Sequence, residues 1–188
     1  MKKILLINGH PNPDSFCYSL AKAYSKGVGE QATLRQIDVA RLNFDVGALK
    51  HFDSFEIPVD LQKAQADIRW ANHIVIVHPI WWATMPALLK SFIEQTFLMG
   101  FAAKYEKSGK ITKLLTDKSM RVISTLDTPV FLYKSFLGNP SFKVHKANFS
   151  FCGIKPIRQT YLGPVVKSDE VKRKKWIKKV EQLGKRLV

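Results

Sequence analysis

His73-Ile74-Val75-Ile76-Val77-His78-Pro79-Ile80-Trp81-Trp82-Ala83-Thr84-Met85-Pro86 is the stretch on which the fold is decided. The run from Ile74 to Val77 is aliphatic and β-branched, and Pro79 stops it, so it reads as a short strand covered on both faces. A loop holding two adjacent tryptophans follows. Pro86 sits where the first turn of a helix tolerates proline. Leu88, Leu89, Phe92, Ile93 and Phe97 then supply the buried stripe of a helix. The unit is strand, loop, helix.

Working outward, the same unit recurs. Ile4 to Ile7 is a continuous aliphatic run, and after a polar loop Cys17, Leu20, Ala21 and Tyr24 fall at helical spacing, with Gly27 and Gly29 expected to end that helix. Thr33 to Ile37 reads as a second strand. Leu61, Ala64, Ile68 and Ala71 mark another amphipathic helix. Lys104 to Lys118 reads as a polar, basic connection, Met120 to Thr125 as a fourth strand, and Thr128 to Ser141 as irregular. A short helix, a strand over Ile157 to Leu162 and a last helix complete the chain. Ser168 is expected to cap that helix, with Asp169 and Glu170 in its first turn and Trp176, Val180, Leu183 and Leu187 as its buried stripe. Five strands alternating with helices give one α/β domain over residues 1–188, with a parallel sheet and right-handed crossovers.

Composition narrows the class. A chain of 188 residues, 46% hydrophobic and 11% aromatic, is globular and long enough to bury a core without disulfides. The basic, apolar start is too short for a signal peptide and lacks a small-residue cleavage site, so we expect a buried strand and a cytoplasmic protein. Cys17 and Cys152 stand far apart, in no metal-ligand spacing, and read as reduced thiols. The net charge is +15, and Lys167 to Arg186 carries nine Lys/Arg against three Asp/Glu. No aromatic–basic alternation, zinc-finger spacing or RNA-binding strand accompanies that charge, so nucleic acid is not expected as a partner. A solvated basic face that attracts anionic cofactors accounts for it.

A parallel sheet binds ligands outside the carboxyl ends of its strands, which singles out three loops. The first runs from Asn8 to Cys17. Its helix start offers free N–H groups, Ser15 a hydroxyl and His10 a ring N–H, which suits a phosphate; Ser15 or Asp14 acting only as a helix cap reads equally well. The P-loop and dinucleotide glycine patterns are both absent. The second loop carries Pro79, Ile80, Trp81 and Trp82. Its indoles can face a flat aromatic ligand, or fill core or a subunit contact. The third, Ser124, Thr125, Leu126 and Asp127, offers hydroxyl and acid groups to the far edge of the same ligand.

Together these residues resemble the NAD(P)H quinone dehydrogenase branch of the flavodoxin-like superfamily, which also holds modulators of drug activity and the ancillary reductases of potassium-efflux channels. The match runs through His10, Ser15 and Phe16; Pro79, Trp82, Pro86, Ala87, Leu89 and Lys90; Glu94 and Phe97; Gly100, Phe101 and Ala102; and Phe151, Cys152 and Gly153. The resemblance implies a doubly wound, five-stranded sheet of order 2-1-3-4-5 with helices on both faces. It implies a flavin, FMN with FAD as the alternative; the short chain, with little beyond the last helix to cover an adenosine, favours FMN. His10, Ser15, Phe16 and Cys17 would lie at its phosphate and ribityl end, Pro79 to Trp82 along the isoalloxazine, and Ser124 to Asp127 at its pyrimidine side. It implies hydride passing from NAD(P)H through flavin N5 to a quinone, and a homodimer. Tyr133 is a candidate to protonate or orient the acceptor. Leu126 and Asp127 stand where many relatives carry a glycine pair. Two other classes are weighed: an electron-carrier flavodoxin, usually acidic where this chain is basic, and a flavin-binding regulatory subunit of a membrane transporter.

Overall fold

The computed structural model describes residues 1–52 and 54–188. In chain order it contains β1 (Lys2–Asn8), α1 (Phe16–Val28), β2 (Ala32–Asp38), α2 (Val59–Trp70), β3 (His73–Pro79) and α3 (Ala87–Thr96). Then come β4 (Ala103–Tyr105), β5 (Ile111–Lys113), β6 (Ser119–Thr125), α4 (Val130–Ser135), α5 (Pro140–Phe151), β7 (Ile157–Leu162) and α6 (Glu170–Lys185). The main sheet is wholly parallel with order β2-β1-β3-β6-β7. Counted by the main-sheet strands alone, this is the doubly wound order expected from the sequence.

Strand alternation divides the interior into two cores. Leu5, Ile7, Ile74, Ile76, Met120 and Val122 point to the face covered by α2, α3 and α5. Ile4, Leu6, Val75, Val77 and Ile123 point to the face covered by α1 and α6. All eleven are essentially inaccessible to solvent. Each contributes on the order of 1.5–3 kcal/mol by leaving water, which is why a near-continuous aliphatic strand is the signal of a sheet covered twice.

The structure departs from the sequence reading at four places. Lys104–Lys118 is not a plain connection: β4 and β5 pair antiparallel, and Gly109 at φ 80° turns the chain between them. Its strands are short and polar and give no period-2 signal. Thr128–Ser141 is not wholly irregular, because α4 occupies Val130–Ser135 and α5 begins at Pro140. Gly138 and Asn139, both left-handed at φ 69° and 60°, break the chain before α5. Gly27 does not end α1. It lies inside the helix, where an added Cβ would come 2.0 Å from the Glu181 carbonyl oxygen, and Gly184 opposite meets the Tyr24 carbonyl as closely. These glycines let α1 and α6 pack backbone to backbone, and Gly29 at φ 51° is the terminator. Finally, Asp169 caps α6, accepting from the Lys172 N–H at 2.7 Å, while Ser168 donates to the Val165 carbonyl.

No described helix is long and apolar enough to cross a membrane.

Candidate functional site at the strand ends

Gly9 opens the first loop by donating to the Val77 carbonyl at 2.8 Å. An added Cβ there would come within 2.6 Å of Leu89, so glycine allows α3 to close on the loop. The loop then folds on its own side chains. The Asn8 amide oxygen accepts from the His10 N–H, His10 Nδ1 accepts from the Asn12 N–H at 2.9 Å, and the Asn12 side chain accepts from Asp14. Because Nδ1 is an acceptor, the neutral ring carries its proton on Nε2, free to donate outward. Burial holds the His10 pKa below its ordinary value, opposed by the Asn12 hydrogen bond. Ser15 is the N-cap of α1, accepting from the Tyr18 N–H at 3.4 Å. The cap reading is therefore met, yet it leaves the first-turn N–H groups of Phe16 and Cys17 without helical partners, as at any helix start.

The second loop leaves β3 through Ile80, which donates to the Thr125 carbonyl at 2.7 Å. Trp81 and Thr84 then exchange two backbone hydrogen bonds of 3.1 and 3.0 Å around Trp82 and Ala83. Those two residues have φ of 47° and 68°. This is the geometry of a tight primed turn built without glycine or asparagine, so it stores backbone strain. The Tyr133 hydroxyl clamps it, donating to the Ala83 carbonyl at 2.7 Å while accepting from the Ser141 N–H at 2.9 Å.

The third loop is held from outside. Leu126 donates to the Leu162 carbonyl and accepts from Val165, and Asp127 accepts from the Val166 N–H at 2.7 Å. Neither Leu126 nor Asp127 has positive φ, so replacing a glycine pair by these two residues costs no left-handed backbone.

Nine of the sequence candidates share one cleft of about 170 Å³: His10, Phe16 and Cys17 on one wall, Pro79, Ile80 and Trp81 on a second, and Thr125, Leu126 and Asp127 on a third. Val165 closes it, which nothing in its sequence surroundings signalled. The His10 and Trp81 rings meet edge to face at 5.4 Å. Cys17 Sγ lies 3.4 Å from Thr125 Oγ1, and burial pushes its thiol up to about 12. It is a neutral wall group, not a nucleophile.

Three candidates stand elsewhere. Ser15 is committed to the helix cap. Trp82 does not line the cleft: it is fully exposed at the tip of the turn beside it. Ser124 points to the other face of the sheet, since adjacent strand residues alternate. There its hydroxyl meets His78 Nε2 at 3.1 Å and accepts from the Gln159 amide at 2.9 Å. His78 Nδ1 lies 2.7 Å from the Pro79 carbonyl and therefore carries the proton, leaving Nε2 to face His145 Nε2 at 2.9 Å. Burial lowers His78 to about 4 and His145 well below its ordinary value. This neutral histidine pair ties β3, β6 and α5 together directly behind the cleft. As for Tyr133, both hydroxyl functions are taken by protein, so it positions the turn.

Residues 2–187 match the flavodoxin-like fold family. The chain belongs to that family. It is 30% identical to an uncharacterized NAD(P)H oxidoreductase of Haemophilus influenzae, covering 95% of this chain and 92% of that one. Over 63% of this chain and 66% of the relative, it is 31% identical to an FMN-dependent NADH:quinone oxidoreductase of Geobacillus kaustophilus. Among solved structures, Smu.1420 from Streptococcus mutans UA159 superposes with a TM-score of 0.87 at 29% identity, covering 99% of this chain and all of the other. The cleft described above lies at the carboxyl ends of the strands, the usual place for a ligand in open α/β sheets.

Proposed function

We propose that the protein is a cytoplasmic, FMN-dependent NAD(P)H:quinone oxidoreductase. The observation that carries this reading is the cleft itself: a free-N–H helix start with an outward-facing histidine at one end, and a flat wall of Pro79, Ile80 and Trp81 at the other. The first end fits a phosphate and the second an aromatic ring. The cleft is smaller than the roughly 300–1,000 Å³ of a site that engulfs a drug-sized ligand. A flat ring would therefore sit with one face open, as a site needs if two further substrates must each stack on it. The relatives named as oxidoreductases support the same reading.

The chemistry belongs to the flavin, which supplies reversible hydride acceptance. The chain's residues bind and orient. The Phe16 and Cys17 N–H groups and His10 Nε2 would hold the phosphate. The Trp81 indole would face the ring, and Thr125, Leu126 and Asp127 would contact it from the third loop. Trp82, held out in solvent by its strained turn, is placed to cover whichever planar substrate stacks on the open face. Nicotinamide and quinone take that face in turn. No side chain of the cleft is poised as a strong acid or base: Cys17 is a neutral thiol and His10 is held neutral. The reading includes a homodimer, as the family resemblance implies.

The test is spectroscopic. Protein saturated with FMN is mixed under nitrogen with NADH or NADPH and then with menadione. The reading expects yellow colour lost with nucleotide and restored by quinone. A protein that takes up no FMN, or whose bound FMN is bleached by dithionite but by neither nucleotide, would refute it.

A further inference from the structure

At the opposite end of the sheet from the cleft, five polar side chains project from the amino ends of the strands onto the face covered by α1 and α6. Lys2 comes from β1, His73 from β3, Ser119 and Arg121 from β6 and Arg158 from β7. Register sets their neighbours: His73 pairs with Ser119, and Arg121 pairs with Arg158. Two guanidinium groups directly across a strand pair repel one another. Among the described residues no ion pair involves Lys2, His73, Arg121 or Arg158.

Their hydrogen bonding is incomplete in one sense only. Lys2 Nζ reaches the Leu187 carbonyl, His73 Nδ1 meets Ser119 Oγ at 2.8 Å, and Arg121 Nη1 donates to Thr160 at 2.8 Å. His73 Nε2, Arg121 Nε and the hydroxyl of Tyr24 on α1 are buried with no partner. His73 is 4% exposed, Arg121 8% and Tyr24 0%. Each of the three atoms can donate a proton, and buried donors without partners are rare in folded proteins. His73 also lines a cavity of about 160 Å³, together with Lys2, Ser119, Met120, Pro156, Arg158 and Val188.

The geometry points to an anion site here: a cavity sized for a single tetrahedral oxyanion, phosphate or sulfate, received by Lys2, His73 and Arg158. A dianion supplies the acceptor that His73 Nε2 lacks and offsets the repulsion between the Arg121 and Arg158 charges. Burial, with the positive charges of Lys2, Arg121 and Arg158 around it, holds the His73 pKa at about 3, so the ring is neutral. The site is independent of the strand-end cleft, being built from the other termini of the same strands.

Inorganic phosphate titrated into the full chain at constant ionic strength, followed by urea unfolding, tests this. At ten times its Kd, phosphate raises the folded-to-unfolded ratio about 11-fold. Sulfate acts alike and nitrate does not. The gain persists in Ser15→Ala, which alters the cleft's phosphate end, and is lost in Arg158→Gln and reduced in Lys2→Gln. In phosphate-free buffer Arg158→Gln is at least as stable as the parent, because Arg121 no longer faces a like charge, so the order of stability reverses on adding phosphate. A gain equal in parent and Arg158→Gln, a gain lost in Ser15→Ala, or no gain in the parent would each overturn the inference. The last outcome would leave water as the partner of the three donors.

Discussion

Replacing Tyr133 by phenylalanine isolates the clamp on the tryptophan turn. The ring stays in place, but the Ser141 N–H, which is buried, loses its acceptor, and the Ala83 carbonyl loses its donor. A buried unpaired group costs about 1–3 kcal/mol, and the Ala83 carbonyl, at an exposed turn, is rehydrated at little cost. The expected loss is about 2 kcal/mol, or about a 30-fold fall in the folding equilibrium constant. With a typical urea m-value near 2 kcal/mol/M, the midpoint falls by about 1 M with m unchanged. The turn itself supplies an internal control. Ala83 sits at φ 68°, where an L-residue pays about 1 kcal/mol that glycine does not. Ala83→Gly therefore stabilises the parent and recovers about half the loss in the Tyr133→Phe background. A midpoint shift below about 0.2 M for Tyr133→Phe, or a destabilising Ala83→Gly, would refute the clamp.

Acid destabilises this protein through histidines buried neutral. His73 and His78 are lowered to about 3 and about 4, and His145 is lowered too, so below the unfolded value near 6.5 the unfolded chain binds more protons and stability falls as pH falls. Urea unfolding between pH 6.5 and 4.5 should show a slope approaching three protons, and a flat profile would contradict it. Asp127→Ala removes the side-chain hydrogen bond between the third loop and Val166; FMN affinity should weaken about five- to tenfold, read by flavin fluorescence, and an unchanged Kd would discount the tie. Cys17 and Cys152, raised to about 12 and about 11, should resist iodoacetamide at pH 8 until the chain unfolds. Fast labelling of either in the native protein would count against their burial. Gly27→Ala drives a methyl into the Glu181 carbonyl and should cost about 3 kcal/mol or more in urea, whereas a neutral result would mean α1 and α6 separate freely.

The sheet was legible because its strands are buried on both faces. Ile74 to Val77 and Ile4 to Ile7 contain no polar residue, and strands of that kind alternating with amphipathic helices call for a parallel sheet with helices on both faces. The β4–β5 hairpin was not legible, because Ala103 to Lys113 is short, polar and half exposed, and hydrophobic period carries no information there. In the site, the loops were found from strand-end logic, yet the side chains of Ser124 and Trp82 were misplaced. Whether a residue at a strand end faces the cleft depends on strand parity, and parity was available: Ser124 shares the phase of Met120 and Val122. The outward position of Trp82 was not available, since it follows from a turn whose positive φ values occur at residues that rarely adopt them. The histidine pair was equally hidden, because His145 meets His78 only through the packing of α5.

The carboxyl end of β6 serves two chambers at once. Thr125 belongs to the cleft and Ser124, one residue earlier, to the sealed histidine pair. A single residue inserted or deleted within the strand would either exchange their sides or turn the core residues before it, Met120 and Val122, onto the wrong face. Descent within this lineage is thereby channelled. New specificities can arise by side-chain replacement at Thr125, or by changes of length beyond it, where the chain enters the Leu126–Pro129 loop. The strand itself is closed to insertions and deletions, and the spacing from Met120 to Thr125 should be the same in every descendant that keeps both chambers.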